Sequence, residues 1–73
     1  TLRYGAAGEN VRRMQMLLQR ADPASLPVYG ADGIFGGETR RALRRFQKKA
    51  GLMAGGICGP RTWKALERAG KEG

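Results

Sequence analysis

A stretch of eleven residues occurs twice in this chain. GIFGGETRRAL (Gly33–Leu43) lies over GICGPRTWKAL (Gly56–Leu66) at a shift of 23 positions. Gly, Ile, Gly, Thr, Ala and Leu coincide, and Arg41 meets Lys64. Any fold must therefore hold two copies of a turn that runs into a helix. Gly33 and Gly56 permit backbone angles that side chains disfavour. Ile34 and Ile57 are expected to point inward from a short extended piece. Gly36 and Gly59 stand just before the helices, where backbone N–H groups lack partners. Thr39 and Thr62 can bond back to local backbone. The unit reads first as a folding device, and its two exposed helix N-termini can also accept carboxylates.

Periodicity predicts three helices. In ENVRRMQMLLQR, Val11, Met14, Leu17 and Leu18 fall within about 120° of arc, with Met16 off the stripe. Glu9 suits the positive end of that helix. The second helix is expected from about Gly37 to Ala50. Thr39, Ala42, Leu43, Phe46 and Ala50 fill one arc; Arg40, Arg41, Arg44, Arg45, Lys48 and Lys49 fill the other. Gly51 is the expected C-terminal cap. Pro60 fits the first turn of a third helix, with Trp63, Leu66 and Ala69 on its buried side. Gly70 is expected to end it, leaving Lys71–Gly73 as a frayed tail.

Between the first two helices, ADPASLPVYGADG carries two prolines and two glycines and reads as a loop, with Val28 and Tyr29 in a short extended piece. Asp32–Gly33 is a turn dipeptide. The leading TLRYGAAGEN reads as an extended segment followed by a turn, with Tyr4 against the first helix. Phe46 is expected in the core. Gln47 is read as a structural polar residue that satisfies turn carbonyls, and Gln15 as its counterpart, since VRRMQ echoes LRRFQ. The fold class is all-α: a small three-helix bundle with Gly-rich turns and an internal turn–helix repeat. One domain over residues 1–73 is expected, with an ordered core of about 2–69.

Composition removes several chemistries. The chain has no histidine and one cysteine, Cys58, so zinc and haem sites lack their usual ligands and no Ser–His or Cys–His pair can form. Cys58 reads as a small buried hydrophobe. Six carboxylates are scattered over helix starts and loops. No catalytic residue, metal site or cofactor is expected. Net charge is +8, which favours anionic partners: nucleic acid, anionic lipid or an acidic wall polymer. No apolar run approaches the ~20 residues of a membrane span. Three short helices and abundant Arg admit a helix-turn-helix reading, but long glycine-rich linkers replace its short turn.

Read in order, LRYGAAGENVRRMQMLL, DGIFGGETRRALRRFQKKAGL and GGICGPRTWKAL resemble the three-helix peptidoglycan-binding domain appended to bacterial and phage cell-wall hydrolases. The resemblance runs from Leu2 to about Leu66. It rests on G-x-x-G-x-x-V-x-x-x-Q, D-G-I-F-G-x-x-T-x-x-A-L-x-x-F-Q and G-x-x-G-x-x-T-W, each weak alone and strong together. Cys58 replaces a more usual apolar residue, Gly37 replaces a common Pro, and the 21–31 loop carries no family signature. A related fold serves as the inhibitory pro-segment of matrix metalloproteases, but ICGP lacks its Pro-Arg-Cys-Gly type motif. The resemblance implies a non-catalytic module that binds peptidoglycan, glycan or peptide stem, and targets a covalently linked hydrolase domain. It implies location in the cell envelope, in the periplasm or cell wall. A basic module without disulfides also suits a phage lysin that reaches a Gram-negative wall, and a monomer with no specific nucleic-acid partner is expected. The chain starts without Met and is expected to be a mature product or a domain cut from a larger hydrolase.

Candidate ligand-binding residues are Tyr29, Asp32, Arg40, Arg41, Arg44, Arg61 and Trp63. Tyr29 and Trp63 offer aromatic faces, although Trp63 also lies in line with Leu66 and Ala69. Asp32 can take a ligand hydroxyl or amide, or bond within its own turn. Arg40 and Arg61 sit in first helical turns, unfavourably for the dipole, and can pair with a stem carboxylate. Arg41 and Arg44 belong to the basic face, which lacks acidic partners at i±4 apart from Glu38.

Overall fold

The computed structural model describes the backbone of residues 1–72 and the side chains of residues 1–69. Among the described residues there are three helices, α1 (Glu9–Ala21), α2 (Gly37–Lys49) and α3 (Pro60–Glu72). Helix α1 packs mainly on α3 and less on α2, so it is the element both others touch. Linkers 22–36 and 50–59 separate the helices, far longer than the turn of a helix-turn-helix.

Each helix starts from a glycine whose carbonyl accepts the first helical bond: Gly8 from Arg12, Gly36 from Arg40 and Gly59 from Trp63. Gly51 ends α2 as expected. It has φ +75°, its N–H donates to Lys48, and the Leu52 N–H donates to Gln47 O at 2.8 Å. These two bonds make a Schellman cap, which needs a residue in the left-handed region. Helix α3 does not stop at Gly70 but continues to Glu72. One glycine near a helix end costs only about 1 kcal/mol relative to Ala, too little to terminate a packed helix. Lys71 and Glu72 are thus helical rather than frayed, and Gly73 lies outside the described residues.

The lead-in segment ties both repeats together. Leu2 exchanges two backbone bonds with Cys58 (3.0 and 2.7 Å). Further along, Gly5 N–H donates to Phe35 O, Phe35 N–H to Ala6 O, and Gly8 N–H to Gly33 O, all at 2.8–2.9 Å. One extended segment therefore pairs with the second turn at its start and with the first turn at its end.

This pairing reverses one expectation. Ile34 and Ile57 are 59% and 45% exposed, while Phe35 and Cys58 are 1% and 0% exposed. In extended backbone successive side chains point to opposite faces, so one residue of each pair goes inward. The repeat showed that a residue must be buried, and the lead-in pairing selects the one after Ile. Phe35 and Cys58 join Val11, Met14, Leu18, Leu26, Ala42, Leu43 and Leu66 in the core. Leu17, Phe46 and Trp63 pack on it half-buried, so Phe46 is a flank of the core rather than its centre. Tyr4 is exposed instead of lying on α1, and Val28 and Tyr29 form a turn rather than an extended piece.

Phe35→Ala should cost about 3–5 kcal/mol and Ile34→Ala less than about 1 kcal/mol in urea unfolding, the reverse of what an inward isoleucine would give. Burial pushes the Cys58 thiol up to about 12. The unfolded chain loses that proton near its ordinary value of 9.0. Stability should therefore be unaffected by this group below about pH 9 and fall as pH rises from there toward 12, by at most ~1.4 kcal/mol per unit. Comparing Cys58→Ala with the parent in alkaline urea titrations isolates this slope, which the variant should lack.

Candidate functional site

The repeated turns are held by two glutamines buried in the preceding helices. Gln15, on α1, is fully buried. Its Oε1 accepts the Gly33 N–H at 2.8 Å; its Nε2 lies 3.0 Å from Ile34 O and 2.8 Å from Thr39 Oγ1. Gln47, on α2, repeats the pattern. Its Oε1 accepts the Gly56 N–H at 3.0 Å, and its Nε2 donates to Ile57 O at 2.9 Å and to Thr62 Oγ1 at 3.1 Å. An amide suits this role because it donates and accepts from one planar group. Gly33 and Gly56 adopt φ +79° and +77°, which turns their N–H groups onto the amide oxygens. A Cβ on Gly56 would in addition come within 3.2 Å of the Arg40 and Arg44 stems.

Asp32 is peculiar to the first unit, where Gly55 stands in the second. Its Oδ1 accepts from Gln15 Nε2 and from the Ile34 N–H, both at 3.0 Å. These bonds, the backbone one first, hold its carboxyl below the usual aspartate range. Asp32 thus bonds within its own turn, as a turn aspartate does.

Each clamped turn leaves a hollow at the start of the next helix. In the first unit it is about 300 Å³ and is lined by Ile34, Gly36, Gly37, Glu38 and Thr39, with Tyr29 and Asp32 on its rim. In the second it is about 550 Å³ and is lined at the matching positions by Ile57, Gly59, Pro60, Arg61 and Thr62. Matching sequence has made matching concavities. The second is bordered instead by Leu52 and by Met53, which is 92% exposed.

A third hollow, about 560 Å³, adjoins the first and shares Tyr29, Gly37 and Glu38 with it. The 24–29 loop forms one wall and α2 the other. Glu38 braces the loop, its two carboxylate oxygens accepting the Val28 and Tyr29 N–H groups at 3.0 and 2.9 Å.

The seven candidate residues do not converge on one site. Tyr29, Asp32 and Arg41 border the two adjoining hollows of the first unit. Arg61 lines the second unit's hollow. Arg40 and Arg44 lay their stems over Gly56, and Arg44 Nε donates to Ala54 O at 3.2 Å. Trp63 packs half-buried against the core and edges a shallow dip beside Asn10 and Arg13. Sequence reasoning missed Glu38, Ser25 and Arg45 as parts of a hollow. The 24–29 loop has no counterpart in the repeat, so no internal comparison marked its neighbours.

Comparison with known proteins agrees with this geometry. Residues 7–66 match the family described as "Putative peptidoglycan binding domain". The chain belongs to this family. It is 48% identical over 69 residues to the N-acetylmuramoyl-L-alanine amidase CwlL of Bacillus licheniformis, covering 94% of this chain but 19% of that enzyme. A crystal structure of a peptidoglycan-binding protein from Clostridioides difficile, in complex with glutamine hydroxamate, superposes with a TM-score of 0.80 at 42% identity. It covers 92% of this chain and 40% of that one. The SleB N-terminal domain superposes with a TM-score of 0.77 at 36% identity, covering 94% of this chain and 90% of that domain. A stretch that fills about a fifth of an amidase, and nearly all of a separate N-terminal domain, is a non-catalytic module. The helix-turn-helix reading finds no counterpart among these proteins.

Gln15→Met keeps the volume but removes the clamp. It leaves the Gly33 N–H without its partner and takes one of its donors from the Ile34 carbonyl, which keeps the Gly36 N–H, and should cost about 2–3 kcal/mol in urea unfolding. In amide spectra its largest shifts should fall at Gly33–Thr39 rather than at Gly56–Thr62.

Proposed function

We propose that this chain binds peptidoglycan without cleaving it and so holds an attached cell-wall hydrolase against the wall. The observation that supports this most directly is the pair of matching hollows, each built by a buried glutamine on the scaffold of the peptidoglycan-binding family. Net charge of +8 suits an anionic wall and adds a long-range attraction. On this reading the protein acts outside the cytoplasm, in the cell envelope, as a monomeric module. A bacteriolytic enzyme, including an endolysin released by phage, is the kind of protein it would serve.

Co-sedimentation with purified sacculi tests the reading. The domain should pellet at moderate salt, and the bound fraction should shrink as salt rises, because exposed charges are screened within about 8 Å at 0.15 M. Some binding should survive where screening is nearly complete. Duplex DNA should be held weakly and lost altogether on adding salt. A domain that stays in the supernatant at moderate salt overturns the proposal.

A further inference from the structure

The hollow under the 24–29 loop has no equivalent in the second unit. Gln15 and Gly33 are 18 residues apart, whereas Gln47 and Gly56 are 9 apart. The additional residues of the first unit make this loop. If the loop served only to connect α1 to α2, the shorter connection of the second unit would suffice. Instead it stands off α2, with Tyr29 70% exposed on its rim.

One buried atom in this wall lacks a partner. Ser25 is 8% exposed and lines the hollow. Its Oγ is the one buried side-chain oxygen or nitrogen without a hydrogen bond among the described residues. A buried hydroxyl left unpaired is costly, and this one lies too deep in the loop wall to meet a ligand in the hollow. Opposite the loop, Arg41 and Arg45 line the same hollow one helical turn apart on α2. Both are exposed. The one carboxylate among the residues lining the hollow, that of Glu38, already accepts two backbone N–H groups from the loop. Two guanidiniums therefore face a single carboxylate that is bonded elsewhere, and the hollow carries net positive charge.

From these observations we infer that this hollow is a carboxylate site, and that its ligand is the free C-terminal carboxylate of a peptidoglycan stem peptide. The inference rests on the wall-binding reading above. A guanidinium pair recognises a carboxylate through charge-assisted, directional bonds. Pro27 and Tyr29 give the rim an apolar surface for the small alkyl side chains beside that carboxylate. Glycan offers hydroxyl and acetamido groups, which do not call for two cations. The second unit's hollow, bordered by Leu52 and Met53, lacks both the loop and the arginine pair.

Amide-detected NMR titration of the ¹⁵N-labelled domain decides this, run beside sacculus co-sedimentation. The probes are a disaccharide–peptide with its stem carboxylates free, the same compound fully amidated, and an uncharged N-acetylglucosamine oligomer. The free-carboxylate probe should shift the amides of Ser25, Tyr29, Arg41 and Arg45. The amidated probe should bind about tenfold more weakly, the loss of one charge-assisted pair. R41Q/R45Q should weaken the free probe by a similar factor and remove its preference over the amidated one. S25A should leave the preference for the free probe intact and the unfolding midpoint unchanged or raised, because the variant deletes an unpaired group that does not reach the hollow. If sacculi pellet the domain but the free and amidated probes bind alike, or the shifts fall outside this hollow, the carboxylate site is refuted and wall binding stands. If the domain neither pellets with sacculi nor responds to the free-carboxylate probe, both are refuted.

Discussion

Two buried primary amides organise this molecule. Each glutamine accepts from a glycine N–H and sets its amide nitrogen against a turn carbonyl and a threonine hydroxyl, so one side chain joins a helix to the turn and to the first turn of the next helix. No apolar contact could do this, because the turn presents backbone polar groups that must be paired when buried. The arrangement suits a chain this short. A domain of this size buries only about 60% of its unfolded surface, so directed bonds have to specify what packing leaves loose.

The clamp also explains why the concavities sit where they do. Fixing Gly33 and Gly56 with positive φ turns the chain sharply before α2 and α3, and the isoleucines that follow are left outside. Their exposed faces, the helix starts and the threonines then border a hollow in each unit. What distinguishes the units is chain length rather than the clamp. The longer linker of the first unit places Tyr29, Ser25 and Pro27 opposite the arginines of α2, whereas the shorter linker of the second brings only apolar residues. The basic face is divided accordingly: Arg41 and Arg45 open onto a hollow, while Arg40 and Arg44 cover Gly56 with their stems.

Much of this was legible in the chain itself. The three helices, the Gly51 cap and the polar role of Gln15 and Gln47 all follow from local pattern, because periodicity and capping depend on residues within a few positions of one another. Helix α3 overran Gly70, since one unfavourable propensity of about 1 kcal/mol does not by itself end a helix. Tyr4, Val28 and Tyr29 were misplaced for a related reason: aromatic and β-branched residues suit strands or cores on average, but here nothing packs over them.

The sequence alone determined the units, their helices and the glutamines that hold them, because each of these repeats within the chain and obeys short-range stereochemistry. Only the tertiary structure decided which neighbour of each isoleucine is buried. That choice depends on the lead-in segment, whose Leu2 must reach Cys58 and whose Gly5–Gly8 must reach Gly33–Phe35. It likewise decided that the candidate residues fall into separate places and that Ser25, Glu38 and Arg45 meet at one hollow. Those meetings join residues far apart in sequence through backbone pairing and loop closure, which no local pattern encodes.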